Sequence, residues 1–196
     1  MKSTKAYHHG NLKPELLQAA LIILDEEGVE GVGIRQVARK VGVAHSAPAN
    51  HFKNKQSLNT ALAEEIFQNL LSMIESRFQQ NLALRASVQV FCQTILEFAL
   101  TYPNRYRLMW RRDCLDNHDA KLSASMEALY QKLIGMLDKQ TTKKHVDVES
   151  QAIAVWSLIH GYVSLRLDGN LQCGQDKISG LNRLDAIVDV ILEGLT

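Results

Sequence analysis

Apolar residues recur at steps of three and four along most of this 196-residue chain, and only three prolines and eleven glycines interrupt them. That spacing lines one face of an α-helix and is incompatible with the strict alternation of a half-buried strand. Leu12, Leu16, Ala19, Ala20, Ile23 and Leu24 form the first set. Leu58, Leu62, Ile66, Leu70 and Ile74 form a second, Val88 to Tyr102 a third, and Leu122, Met126, Leu129, Leu133 and Leu137 a fourth. The pattern predicts a first helix from Leu12, capped by Asn11, with Pro14 tolerated in its first turn and Gly28 ending it. Short helices follow over Ile34 to Val41 and about His45 to His51, then a long one capped by Asn54. Pro103 opens a brief helix as an N1 residue. TTKKHVDVE reads as a polar loop, and two last helices are expected over Val148 to about Asp168 and Ile178 to about Leu195. No alternation is long enough to build a sheet, so the fold class is all-α.

Composition narrows the class further. With 46% apolar and 22% charged residues, the chain has the balance of a soluble protein with a real core. No apolar run approaches the roughly 18 residues of a membrane span, and MKSTKAYHHGNLK lacks the hydrophobic block of a signal peptide. Cys92, Cys114 and Cys173 are odd in number and in no metal spacing, so the expectation is a reduced, cytoplasmic protein. His8 and His9 have no cysteine or carboxylate at ligand spacing, so neither a metal nor a cofactor is expected. Residues 1–55 carry eight Lys/Arg against five acids, while the remaining 141 carry fourteen against sixteen. A basic head on a slightly acidic body suits a nucleic-acid partner, although an excess this small also occurs in enzymes.

The head satisfies the steric demands of a helix-turn-helix. Gly42 sits where the chain must leave the first short helix and can take positive φ. Ala38 allows close helix approach, Val43 can plug the gap, and Ile34, Val37, Ala47 and Phe52 complete a small core. Arg35, Gln36, His45, Ser46, Asn50, His51, Lys53 and Lys55 remain as candidate DNA contacts. Taken alone, Ala-x-x-x-Gly-Val is equally a tight corner.

The run from YHHGNLK through EEGVEGVGIRQVARKVGV to HFKNKQSL closely resembles the DNA-binding domain of the TetR (tetracycline-repressor-like) family of transcriptional regulators. The resemblance covers about residues 8–66. It implies a three-helix DNA-binding domain, residues 1–55, followed by a helical ligand-binding and dimerisation domain, residues 56–196. It also implies a homodimer on double-stranded DNA, with residues near the start of the recognition helix meeting base edges. FALTYPNRYRLMW and WSLIHGYVSLRLDG look like the ligand-binding domain of a branch marked by Trp…His-Gly, here Trp156, His160 and Gly161. That likeness implies a small-molecule effector held by Phe98, Tyr102, Met109, Trp110, Trp156 and His160; ordinary core packing is the competing reading of each. Apolar surface on Val155, Ile159, Val163, Leu184, Ile187, Ile191 and Leu195 is expected to form the dimer seam.

The departures from the family lie in the grip. Gly33 stands where a capping Ser or Thr is usual, Ala44 where a hydroxyl opens the recognition helix, Ala49 where a Tyr touches a phosphate, and Asn50 at a basic or polar position. Cys114, after Arg111 and Arg112, is a candidate thiol of lowered pKa if those guanidiniums approach it. There is no Gly-rich phosphate loop, HExxH or GxSxG, so an enzyme is not expected. The leading reading is a ligand-responsive regulator, usually a repressor in this family. The alternatives are a dimeric regulator that has lost DNA binding and acts through protein contacts, and a small helical enzyme.

Overall fold

The computed structural model describes residues 12–78, 82–140 and 146–195. Among them lie eight α-helices: α1 (Leu12–Gly31), α2 (Ile34–Val41), α3 (Lys55–Arg77), α4 (Leu84–Thr101), α5 (Pro103–Met109), α6 (Ala120–Gln140), α7 (Val148–Leu167) and α8 (Arg183–Leu195). Two 3-10 turns, Ala47–Asn50 and Arg112–Cys114, complete the regular structure. No described helix is long and apolar enough to cross a membrane. The all-α expectation holds. The expected Asn11 cap lies outside the described residues.

The chain divides into two compact units. Of the described residues, the first comprises those up to Ile66 together with Asn104–Leu122, and the second those from Phe67 to Pro103 together with those from Ser123 onward. In the first unit Leu16, Ala20, Leu24, Val37, Ala38, Leu58, Leu62, Leu108 and Met109 are buried at every turn of their helices, which is what a 3.6-residue period of apolar side chains produces. Gly28 breaks the helical path of α1 at φ 74°, a left-handed conformation open to glycine at little steric cost. The carbonyl just before the break, that of Asp25, accepts from Asn104 Nδ2 at 3.1 Å, and the Asp25 carboxylate accepts two bonds from Arg105 at 2.8 and 2.6 Å. Segment 104–122 is further pinned by Gln56 Nε2 on the Leu115 carbonyl and by the Asp116 N–H on Thr60 Oγ1.

In the second unit α4, α7 and α8 pack around Phe91, Cys92, Ile95, Phe98, Val155, Ile159, Val163, Leu184 and Val188, all buried. Four residues expected on a dimer seam, Val155, Ile159, Val163 and Leu184, therefore lie inside the subunit: they face α4, which the stripe Phe91-Ile95-Phe98 matches. The last helix also starts later than expected. Asp176 accepts from the N–H groups of Ile178 and Ser179, which folds 176–180 into a turn. Asn182 then caps α8 by accepting from the Asp185 N–H at 3.0 Å. Asp147 caps α7 in the same way through Ser150, so the polar loop ends at Asp147 and Val148 is already helical.

Candidate nucleic-acid interface

The head is built on α2, which is closed at its C-terminal end. Gly42 takes φ 81°, ψ 28°. Its N–H donates to the carbonyls of Ala38 and Arg39, and the Val43 N–H reaches Ala38 at 3.0 Å. This is the Schellman pattern that ends a helix and redirects the chain. At the other end Gly33 is extended and offers no side-chain cap. The Gln36 amide oxygen occupies that place, 2.4 Å from where a Cβ on Gly33 would stand. Ala38 and Val37 are buried, as is Phe52 beyond the turn. Ile34, Val43 and Ala47 are half-buried, forming the rim of that small core.

The second element of the motif differs from the expected helix over His45 to His51. Only Ala47–Asn50 is helical, and it is a single 3-10 turn. The Ala47 N–H bonds Ala44, Ala49 bonds Ser46 and His51 bonds Pro48, each three residues back. Pro48 has no N–H to give and disfavours the α conformation in the residue before it, so the α-helical ladder cannot pass through it. Pro48 is also buried, anchoring the turn where a recognition helix would otherwise run.

All the candidate contacts from Arg35 to Lys53 are exposed: Arg35 and Gln36 on α2, His45 and Ser46 before the 3-10 turn, Asn50 at its end, His51 and Lys53 after it. Arg39, not among the expected contacts, is also exposed and lies four residues beyond Arg35 on the same face of α2. Arg35, Arg39 and Lys53 have no acid partner among the described residues, whereas Lys40 pairs with Glu26 at 2.8 Å and Lys55 with Glu30 at 3.7 Å. Lys55 Nζ also donates to the Glu30 backbone carbonyl at 3.3 Å, so it is tied to the end of α1. The cap on α3 is a reciprocal box: the Ser57 N–H donates to Asn54 Oδ1 at 2.8 Å, and the Asn54 N–H to Ser57 Oγ at 3.0 Å. Chemically, this surface combines unneutralised cations with short polar side chains, as a polyanion requires.

The expected effector residues divide between the units. Met109 and Trp110 belong to the first, where Trp110 packs edge-on against Tyr106 at 5.9 Å. Phe98, Tyr102, Trp156 and His160 belong to the second. Phe98 is buried against Tyr102 at 5.6 Å, and Trp156, half-buried, packs on Phe91 at 6.1 Å. His160 is half-buried, and burial lowers its pKa. Arg111 does approach Cys114, at 3.2 Å. The thiol nevertheless rises above its ordinary value, because burial and the neighbouring Asp113 outweigh the guanidinium. A lowered Cys114 pKa is thus not found.

Residues 16–62 match the bacterial regulatory proteins of the tetR family, and residues 88–189 match a tetracyclin repressor-like C-terminal domain. Nucleoid occlusion factor SlmA of Glaesserella parasuis serovar 5 (strain SH0165) is 32% identical over 130 residues, 62% of this chain and 64% of that protein. The chain thus matches less than two thirds of that relative's length. A protein of unknown function from Rhodococcus sp. RHA1 superposes with a TM-score of 0.78 at 26% identity, covering 98% of this chain and 99% of the other. Transcriptional regulator FadR from Bacillus subtilis, in complex with stearoyl-CoA, superposes at 0.68 with 16% identity over 93% and 97% of the two chains.

Proposed function

The chain belongs to the TetR family of transcriptional regulators, with a helix-turn-helix DNA-binding domain, and from that premise we propose that it is a ligand-responsive repressor acting as a homodimer on a palindromic operator. The observation that carries the DNA reading is the set of exposed cations Arg35, Arg39 and Lys53, without an acid partner among the described residues, around a turn closed by Gly42. Arg35, Gln36, His45, Ser46, Asn50 and His51 are the candidates for contacts near bases, and Lys53 and Lys55 for the phosphates. Functionally, we assign DNA binding to residues 1–55 and effector binding with dimerisation to 56–196.

The dimer seam is the outward face of the last two helices. On α7, Ile153 is 57% and Leu165 48% exposed, and Ser157 and Gly161 lie between them on the same side. A Cβ on Gly161 would meet nothing within 4 Å, which leaves room for a second helix to approach closely. On α8, Val190 is 70% exposed. Apolar side chains standing in water beside small ones suit a helix packing against its own copy. The Trp156…His160-Gly161 pattern supports an effector site in the second unit, in which Trp156 and His160 are half-buried. The FadR neighbour's stearoyl-CoA makes effector binding by such a fold reasonable. Trp156→Ala should abolish the effector response if that reading holds, and leave it intact if Trp156 is ordinary core.

One specific observation favours a second reading, a regulator with weakened DNA binding. Gly33, Ala44 and Ala49 bring no hydroxyl to the backbone, and the recognition element is a 3-10 turn. Selection from a randomised duplex library by the full-length protein separates the two. A repressor enriches two inverted half-sites whose centres lie about 34–36 Å apart, or a multiple of that. No enrichment above the input library supports the second reading.

A further inference from the structure

The second unit holds an open groove between α4, α7 and the start of α8, with a volume of about 350 Å³. That lies near the lower end of the range for small-ligand sites. Leu96, Leu100, Leu184 and Tyr162 make its apolar wall, and Leu100 is 43% exposed there. Two guanidiniums line the same groove. Arg166 lies over the Tyr162 ring at 6.0 Å and has no acid partner among the described residues. Arg183 donates to the Gln175 carbonyl at 2.6 Å and lies 3.5 Å from the Asp176 carboxylate. The groove's own carboxylate, Glu97, is already held by two bonds from Arg77, at 2.6 and 3.0 Å. Gln93 and Asn182 both direct their amide donors at the buried Asp185. What remains uncommitted is a positive charge above an apolar floor.

We propose that this groove binds a small organic carboxylate, its apolar body against Leu96, Leu100 and Leu184 and its carboxylate on Arg166. A guanidinium presents paired N–H donors that match a carboxylate's two oxygens, and such charge-assisted bonds are about twice as strong as neutral ones. The site shares none of Phe98, Tyr102, Met109, Trp110, Trp156 or His160. It is also separate from the proposed dimer seam: Arg166 follows Ser157 by nine residues, which places it on the opposite face of α7. Binding here does not depend on the regulator reading.

Cys173 lines the groove and is exposed, which provides a local reporter. Burial pushes the Cys92 thiol up to about 12, and Cys114 is also raised, so Cys173 is the thiol expected to react first with iodoacetamide. The full-length protein would be alkylated in the presence of benzoate or of benzyl alcohol, and the labelled peptides quantified by mass spectrometry. Benzoate should protect Cys173 and benzyl alcohol should not. Arg166→Met should raise the benzoate concentration for half-protection at least about tenfold, through the loss of the paired charge-assisted bonds. Leu100→Asp, at an exposed position that folding tolerates, should raise it similarly, and Trp156→Ala should leave it unchanged. Equal protection by the alcohol, no protection by benzoate, protection that survives both groove variants, or protection lost in Trp156→Ala would each overturn the proposal.

Discussion

Lys53 and Lys55 are two residues apart and differ in what holds them, which makes them separable probes of the DNA surface. Lys53 is exposed without an acid partner among the described residues, so Lys53→Ala should remove one cation from the interface and nothing from the fold. The slope of log affinity against log salt should flatten by about 1, with melting unchanged. Lys55 is paired to Glu30 and bonded to its carbonyl; Lys55→Ala should therefore also loosen the end of α1, by at most about 1 kcal/mol for so exposed a pair. A flattened slope for neither would remove both from the phosphate contacts. His160 gives a pH test. Burial lowers its pKa from the ordinary 6.5, so as pH falls through 6.5 the unfolded chain takes the proton first and stability is lost from there down to the folded value. The melting temperature of the wild type should thus drop between pH 7 and 5 more than that of His160→Gln, and parallel curves would contradict this.

At the scale of elements, Gly42 and Gly33 call for opposite outcomes. Gly42→Val forces a β-branched residue into left-handed space and should destabilise the head by roughly 1–2 kcal/mol or more, read by thermal unfolding. Gly33 is extended, a conformation that any residue adopts. Gly33→Thr has only the mobile end of Gln36 to displace and should gain a few tenths of a kcal/mol by capping α2. Together with Ala49→Tyr it should tighten binding to all DNA sequences alike without changing the salt slope, because hydroxyls reach phosphates and carry no charge. Much of this was legible beforehand. Gly28, Gly42, Asn54 and Pro103 punctuate the chain where their backbone chemistry says they must, and helical periodicity gave the core faces. The short recognition element was not legible from periodicity, because a three-residue and a four-residue repeat cannot be told apart over seven residues; Pro48, which has no N–H to donate, is the residue that interrupts the run from His45. The start of α8 is set by Asn182-x-x-Asp185, a local capping signal that outweighs the apolar Ile178. On α7 periodicity found the apolar stripe but not its partner, and Val155, Ile159 and Val163 turned out to serve the subunit's own core. Arg166 and Arg183 carried no sequence signal, since their meaning comes from a groove shared by three helices far apart in the chain.

For the whole molecule, the proposed homodimer rests on the outward faces of the last two helices. Gly161→Leu fills the open space on α7 and Val190→Asp places a charge on the exposed face of α8, so both should shift sedimentation at micromolar concentration from dimer toward monomer without lowering helix content. A wild type that sediments as a monomer would remove the twofold arrangement and with it the expectation of a palindromic operator. The central claim, that this head still grips DNA, is tested most directly by fluorescence anisotropy of labelled duplexes, the best library-selected sequence against a scrambled one, at several salt concentrations. The account predicts affinity that falls linearly on logarithmic axes as salt rises, with the selected duplex bound more tightly at every concentration. No salt-dependent binding by the wild type or by the Gly33→Thr, Ala49→Tyr double variant would contradict it.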